Sequence, residues 1–429
     1  MIHKHVNAEE TAMIAKAHQC LPGGSVGNIF HDLIIRSGRG SHVWDLSGNE
    51  YVDYLMGSGP MLVGHAHPEV VAAVKEQVER GSTFFVTHEK AIELAEEIVA
   101  AVPCAEKVRY TSSGTEANQF AMRVARTFRN RDRILKFEGG FHGMHDYALM
   151  SFAPTKPAAF PTPTPDSPGI PDALKEQVLI APFNNIETTT AIIERHHDEL
   201  AGVIVEPFQR VIRPKPGFLT ALREITQRYE VPLIFDEVVT GFRLAYGGAQ
   251  TYYGVTPDLC SLGKVCAGGY PLAAVAGPAH MMACFDPTTS EPRNFIPQIG
   301  TLNGNPISAA AGLATLNILK RKGTYERLAS VGEKIKNGLQ NLLDEAHIPA
   351  QVVGESAIFD VFFTNEEITD YRSTLSADKQ MLQRFNALLR ERGVYRGDTK
   401  FYLSTVHNQE DVDLTIEAFA AAIDELRNQ

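Results

Sequence analysis

Four short segments hold the residue types from which chemistry could be built. Between Asp258 and Asp286 the chain carries one formally charged residue, Lys264, set in Ser261-Leu262-Gly263-Lys264-Val265-Cys266-Ala267-Gly268-Gly269. An amine kept among apolar and glycine residues is poorly hydrated, which suits it to Schiff-base chemistry with a carbonyl. The plain alternative is a solvated surface charge. Upstream, the apolar run Val231–Phe235 ends in Asp236-Glu237. That places a carboxylate at the C-terminal end of a buried strand, where open α/β sheets bind ligands, unless the acid only caps the next turn. Thr111-Ser112-Ser113-Gly114-Thr115-Glu116-Ala117-Asn118 follows the apolar-rich Lys107–Tyr110 and opens a helical stretch running to about Thr127. Hydroxyls and backbone amides at a helix start form an anion site; Ser113 or Thr115 could equally be a simple N-cap. Finally, Gly139-Gly140-Phe141-His142-Gly143 places a ring in a glycine-rich loop, able to stack on a planar ligand or to pack into the core.

These segments require a scaffold that gathers strand ends. From about residue 90, helical stretches alternate with short apolar runs at Lys107–Tyr110, Arg133–Phe137, Val178–Ile180, Gly202–Val205, Leu233–Phe235 and Leu272–Ala276. Several runs are continuous rather than alternating, as strands buried on both faces are. The pattern predicts an α/β fold with a mostly parallel sheet covered by helices. Before it, residues 8–20 and 68–80 have helical spacing, and His42–Asp45 with Tyr51–Tyr54 reads as a hairpin. Seven prolines between Pro154 and Pro171 mark a loop, expected to be ordered against the body. Residues 325–429 mix helices and short strands. The expected division is 1–63 as an N-terminal arm and part of a small domain, 64–310 as the large ligand-binding domain, and 311–429 as the C-terminal small domain.

The 429 residues are 44% hydrophobic and 21% charged, with a formal net charge of −11, and no basic run is present; nucleic acid is not an expected partner. No apolar stretch is long enough to span a membrane, and the N-terminus lacks the apolar core of a signal peptide. Cys20, Cys104, Cys260, Cys266 and Cys284 are scattered and odd in number, which suggests neither a disulfide framework nor a zinc site. A cytoplasmic protein without a metal is expected.

In order along the chain, Trp44-Asp45, Gly64-His65-Ala66-His67-Pro68, Ser113-Gly114-Thr115-Glu116-Ala117, Phe141-His142-Gly143, Glu206-Pro207, Asp236 to Arg243, Gly263-Lys264 and Gly300 to Pro306 resemble the class III aminotransferases of fold type I, over roughly residues 15–425. Tyr246 to Gln250 and Gly254 to Leu259 resemble the glutamate-1-semialdehyde aminomutase branch. The resemblance implies pyridoxal 5'-phosphate as cofactor and a large domain with a seven-stranded, mostly parallel sheet. It implies a smaller α/β domain formed by both chain ends. Carried over position by position, it implies Lys264 as the Schiff-base lysine and proton shuttle, with Asp236 on the pyridine nitrogen. Ser113, Gly114 and Thr115 would hold the phosphate, Phe141 and Val238 the two ring faces, and His142 and Glu206 would lie beside the cofactor. Thr301 would reach the neighbouring subunit's cofactor, which implies a homodimer.

The sequence departs from this branch where substrate is expected to sit. No arginine follows Pro22-Gly23-Gly24 in Ser25–His31, Ser58 replaces a tryptophan, and Tyr395–Phe401 lacks the branch's C-terminal motif; at the cofactor, Phe141 stands where the family usually has tyrosine, which keeps the ring and loses the hydroxyl. His31, Ser58 and Arg396 are therefore candidate substrate residues, Arg396 because a guanidinium suits a carboxylate; a surface arginine is the alternative. A retained cofactor set beside an altered pocket favours an aminotransferase that moves an amino group from an amino acid, with β- and non-standard amino acids among the donors, to a 2-oxo acid. A 1,2-aminomutase, an amino-acid epimerase and an inactive cofactor-binding regulatory module are the competing expectations.

Overall fold

The computed structural model describes residues 5–29 and 33–427. His31, a candidate pocket residue, lies outside them. The chain divides into two units. One comprises residues 69–321 with 368–375; the other comprises the chain up to Pro68, 322–367 and 376 onwards.

The first unit is built on a seven-stranded sheet. In spatial order its strands are Lys107–Thr111, Ala273–Gly277, Leu259–Leu262, Leu233–Glu237, Leu200–Val205, Arg133–Phe137 and Val178–Ala181. Ala273–Gly277 runs antiparallel to both neighbours, and the five strands beyond it are mutually parallel. The strand Leu200–Val205 is buried at every position, which explains its continuous apolar run. The helix Gly114–Arg129 packs Ala117, Ala121, Met122, Val124 and Ala125 against Ile134, Ala201, Ile204, Ile234 and Val275 of the sheet. Small residues on this face let the helix lie close, so the loop that starts it is held near the strand ends.

The strand Leu259–Leu262, which delivers the chain to Lys264, went unmarked in the sequence. Four residues beside glycines carry little periodicity. Its register is fixed by pairing Asp236 with Ser261 across the sheet. Behind the Lys264 turn lies the helix Pro306–Leu319, buried on nearly all sides. Gly312 is needed there: a Cβ would stand 2.3 Å from the carbonyl oxygen of Cys266. The proline-rich loop is tied down within this unit, with Tyr371 Oη donating to Pro154 O at 3.0 Å and Arg372 Nη2 to Ala158 O at 2.6 Å.

The second unit holds two small sheets. Ile35–Arg39, His42–Asp45 and Glu50–Asp53 form an antiparallel set to which Val394–Tyr395 adds in parallel. Gln351–Glu355, Ile358–Phe362 and Phe401–Tyr402 form the other. No helix among the described residues is long and apolar enough to cross a membrane.

Candidate active site

Asp236 is the most elaborately held group of the large unit. It ends the strand Leu233–Glu237 and is buried. A buried carboxylate is tolerated only where donors surround it. Oδ2 accepts from Asn118 Nδ2 at 2.7 Å and lies 2.8 Å from Nδ1 of His142. With a carboxylate as acceptor, that contact places the imidazole proton on Nδ1. Oδ1 accepts from the Val238 amide at 3.1 Å. Ser261 Oγ stands 3.3 Å from Oδ1 but 2.6 Å from Asn118 Oδ1. A hydroxyl has one proton to give, and it goes to the shorter contact. Asp236 Oδ1 therefore keeps room for one more donor.

Asp236 touches His142 and Val238 among the expected residues of the large unit, and Val238 leads on to others. The helix Gly114–Arg129 begins with a capping box: Ser113 Oγ accepts from the Glu116 amide, and the Glu116 carboxylate accepts from the Ser112 and Ser113 amides. Ser113 is thus an N-cap, while the amides of Gly114 and Thr115 open the helix with no intrahelical acceptor. Thr115 Oγ1 accepts from the Met144 amide at 3.3 Å. A Cβ on Gly114 would lie 2.9 Å from Val238 Cγ1 and one on Gly263 3.2 Å from it, so Val238 packs against both the helix start and the turn into Lys264. Lys264 is half-buried with a φ of 50°, at the start of a short 3-10 turn. Left-handed backbone at a lysine is uncommon, and functional positions are where such strain collects.

Glu206 Oε2 accepts from the Phe141 amide at 2.9 Å, clipping the ring-bearing loop. His142 is fully buried behind it, and its Nε2 has no hydrogen-bond partner among the described residues. Its contact is with Asp236. Thr301 is exposed in the turn before the helix Pro306–Leu319 and borders a cavity of about 540 Å³.

Ser58 and Arg396 belong to the other unit. Ser58 is exposed in a tight turn with a φ of 66°. Arg396 is 1% exposed; its Nη2 pairs with Asp360, and its guanidinium lies over the Phe401 ring at 4.3 Å. It is thus no surface arginine: it already has an acid partner, while Nε and Nη1 have no hydrogen-bond partner among the described residues.

Three buried polar residues of the large unit escaped the sequence reading. Asn118 and Ser261 orient Asp236, and each is recognisable only once the strands are paired. Lys136 is fully buried, and its Nζ donates to the carbonyls of Gly140, Ala148 and Met150 at 3.2, 2.7 and 2.7 Å. Burial pushes its ammonium down to about 7, against the opposing pull of Asp166 and Glu206. Burial likewise pushes His145 down to about 4, helped by His142 and Lys136.

A spare acceptor on a buried strand-end carboxylate is what a protonated pyridine nitrogen requires. That fit, on a seven-stranded, mostly parallel sheet, defines a fold-type I transferase dependent on pyridoxal 5'-phosphate. The Aminotransferase class-III family model matches residues 25–423; the chain belongs to this family and is an enzyme of it. It is 40% identical over 426 residues to a glutamate-1-semialdehyde 2,1-aminomutase of Methanothermobacter thermautotrophicus, covering 97% of this chain and 99% of that one. Among solved structures it is similar to an omega-transaminase from Sphaerobacter thermophilus, with a TM-score of 0.94, 36% identity and 99% of each chain covered. It is also similar to a beta-phenylalanine aminotransferase from Variovorax paradoxus, with a TM-score of 0.87, 30% identity, and 98% of this chain and 94% of that one covered.

Proposed function

We propose that this enzyme transfers the amino group of an amino acid to a 2-oxo acid, with β-amino acids among its donors. The observation that supports the reading is a buried strand-end carboxylate with a spare acceptor, near a helix start with open amides, in a sequence that departs from the aminomutase branch at the positions expected to hold substrate. Similarity to two transaminase structures supports it. The competing reading, a 1,2-aminomutase, is favoured by the 40% identity to a named aminomutase.

Each residue's part follows from its chemistry. When bound, pyridoxal phosphate supplies an electrophilic carbonyl and an electron-withdrawing ring. Lys264 is the amine that holds the cofactor covalently. As a free amine, Lys264 Nζ would be the base that takes the proton from the substrate's amine-bearing carbon and holds it as the ammonium. Asp236 keeps the ring nitrogen protonated, and Asn118, His142 and Ser261 keep Asp236 aimed. The Gly114 and Thr115 amides, with the Thr115 hydroxyl, hold the phosphate at the helix start. Phe141 and Val238 cover the ring faces, Glu206 fixes the loop of Phe141, and His142 acts from behind Asp236. Ser58 and Arg396 keep only the role the resemblance implies, that of candidate substrate residues.

The chain is proposed to act as a homodimer in which Thr301 contributes to the partner's phosphate site. Thr301 shares its cavity with Phe85, Val86 and Ile299, which are 68%, 76% and 85% exposed. Apolar side chains so clustered mark an interaction face. Five free cysteines fit a reducing, cytoplasmic setting.

Mixing holoenzyme with single α- and β-amino acids, without any oxo acid, tests the reaction. A transaminase converts its cofactor completely from the lysine-bound to the amine form and releases one equivalent of oxo product. Persistence of the lysine-bound absorbance while an isomerised amino acid accumulates establishes the aminomutase instead.

A further inference from the structure

The sequence assigned no role to Arg210, yet its placement is unusual in three respects. First, its backbone: Gln209 and Ile212 exchange hydrogen bonds, Gln209 N to Ile212 O at 3.1 Å and Ile212 N to Gln209 O at 2.7 Å, which leaves Arg210 and Val211 at the tip of a two-residue turn. Arg210 sits there with a φ of 62°. Glycine is the default residue for such a position, and Arg210 takes it at some cost in backbone strain.

Second, the turn is clipped on both sides to the loop that carries Phe141. Glu206 accepts from the Phe141 amide, and Gln209 Nε2 donates to Glu138 O at 2.8 Å. The guanidinium carbon consequently lies 5.4 Å from the Phe141 ring centre and 5.7 Å from that of Phe152, and those two rings meet edge to face at 5.2 Å. Third, the guanidinium is half-buried against these rings, and no described residue gives it a hydrogen bond or an ion pair. Other arginines near loops of this unit have acids: Arg372 pairs with Glu138 and Arg223 with Asp258. Arg210 has aromatic faces and, among the described residues, no ion-pair partner.

We propose that Arg210 binds the carboxylate of the amino-acid substrate and sets the enzyme's preference for carboxylate-bearing donors. The proposal rests on the amino-acid reading above. A planar guanidinium offers two parallel donors to a carboxylate. The Phe141 and Phe152 rings hold the cation without neutralising it and exclude water from one side. Phe141 is also the residue assigned to a face of the cofactor. An anion on Arg210 therefore stands beside the ring that carries the reacting carbon. The absence of an arginine after Pro22-Gly23-Gly24 is then compensated from a different segment of the chain.

The test uses holoenzyme, Arg210→Gly and Arg210→Lys. Glycine fits the turn, so Arg210→Gly is expected to fold with an undiminished thermal midpoint. Calorimetric titration with 3-phenylpropanoate, which has no amine and cannot react, reads carboxylate binding alone. Kinetics with 3-amino-3-phenylpropanoate and with 1-phenylethylamine, its counterpart without the carboxylate, read the preference. Arg210→Gly is expected to weaken 3-phenylpropanoate on the order of 30-fold, as loss of hydrogen bonds to a charged group does. It should raise KM for the amino acid similarly and leave 1-phenylethylamine unchanged; Arg210→Lys should lose less. The proposal is overturned if wild-type enzyme does not bind 3-phenylpropanoate at millimolar concentration, if Arg210→Gly binds it as the wild type does, or if acid and amine substrates suffer equally, which would make Arg210 a support for Phe141. The transamination reading fails separately, if wild-type cofactor is converted by neither substrate.

Discussion

At the residue scale, Asp236 depends on a chain of single hydrogen bonds. Asn118 gives it a donor, and Ser261 holds Asn118 by accepting no other duty for its one proton. Two substitutions separate charge from aim. Asp236→Asn keeps the shape and removes the negative charge, so a ring cation loses its partner. Its kcat/KM should fall at least about 1,000-fold, about 4 kcal/mol, and cofactor should dissociate on dilution, read by absorbance. Ser261→Ala keeps the charge and frees Asn118. It should cost roughly 10-fold in kcat, the order of one net hydrogen bond, with cofactor retained. Equal losses in the two variants would refute this division of labour. The backbone at Lys264 and Arg210 belongs to the same scale: both have positive φ. The structure spends local strain at two side chains assigned to the reaction.

At the element scale, the site depends on what presses on its loops. The helix Pro306–Leu319 approaches the Lys264 turn so closely that Gly312 has no room for a side chain. Gly312→Ala must move either the helix or Cys266. A loss of about 1–3 kcal/mol is expected from such overpacking, together with a shifted cofactor absorbance; an unchanged denaturation midpoint would show the contact to be slack. On the opposite side Lys136 knots the loop from Gly140 to Met150 through three carbonyls. Its ammonium titrates near 7 when folded and near the ordinary 10.5 when unfolded. Between these values the unfolded chain binds the extra proton, so stability rises with pH across that window and is flat below it. Lys136→Met removes this dependence and strands three acceptors, at a cost of about 3 kcal/mol. Denaturant melts of both proteins from pH 6 to 10 check the slope: a difference that does not grow with pH would place the lysine pKa elsewhere.

At the scale of the whole molecule, the large unit carries the residues assigned to the cofactor, and among them Thr301 is exposed on an apolar rim. If that rim is a dimer face, Phe85→Asp buries a charge with no partner and should dissociate the assembly. Sedimentation at micromolar concentration should show a shift towards half the mass, and activity should fall with it, because each phosphate site loses its borrowed threonine. A variant that stays dimeric and active would move the interface elsewhere.

The sequence determined a good deal by itself. Lys264 stood out because every charge for many residues around it is absent, and Asp236 because a continuous apolar run ends on it. The strand Leu200–Val205 was legible over Gly202–Val205, and the next one over Leu233–Phe235, because burial on both faces writes itself as an unbroken apolar word. The Ser113 segment could be read two ways, and the structure supplies a capping box there while leaving the Gly114 and Thr115 amides open. What only the tertiary structure decided was partnership. Leu259–Leu262 is too short to show a period, yet its pairing with the Asp236 strand brings Ser261 and Asn118 together. Arg396 and Arg210 are alike as letters; one meets Asp360 and the other two aromatic rings. Whether an arginine is neutralised depends on residues far away in the chain, and no local pattern records that distance.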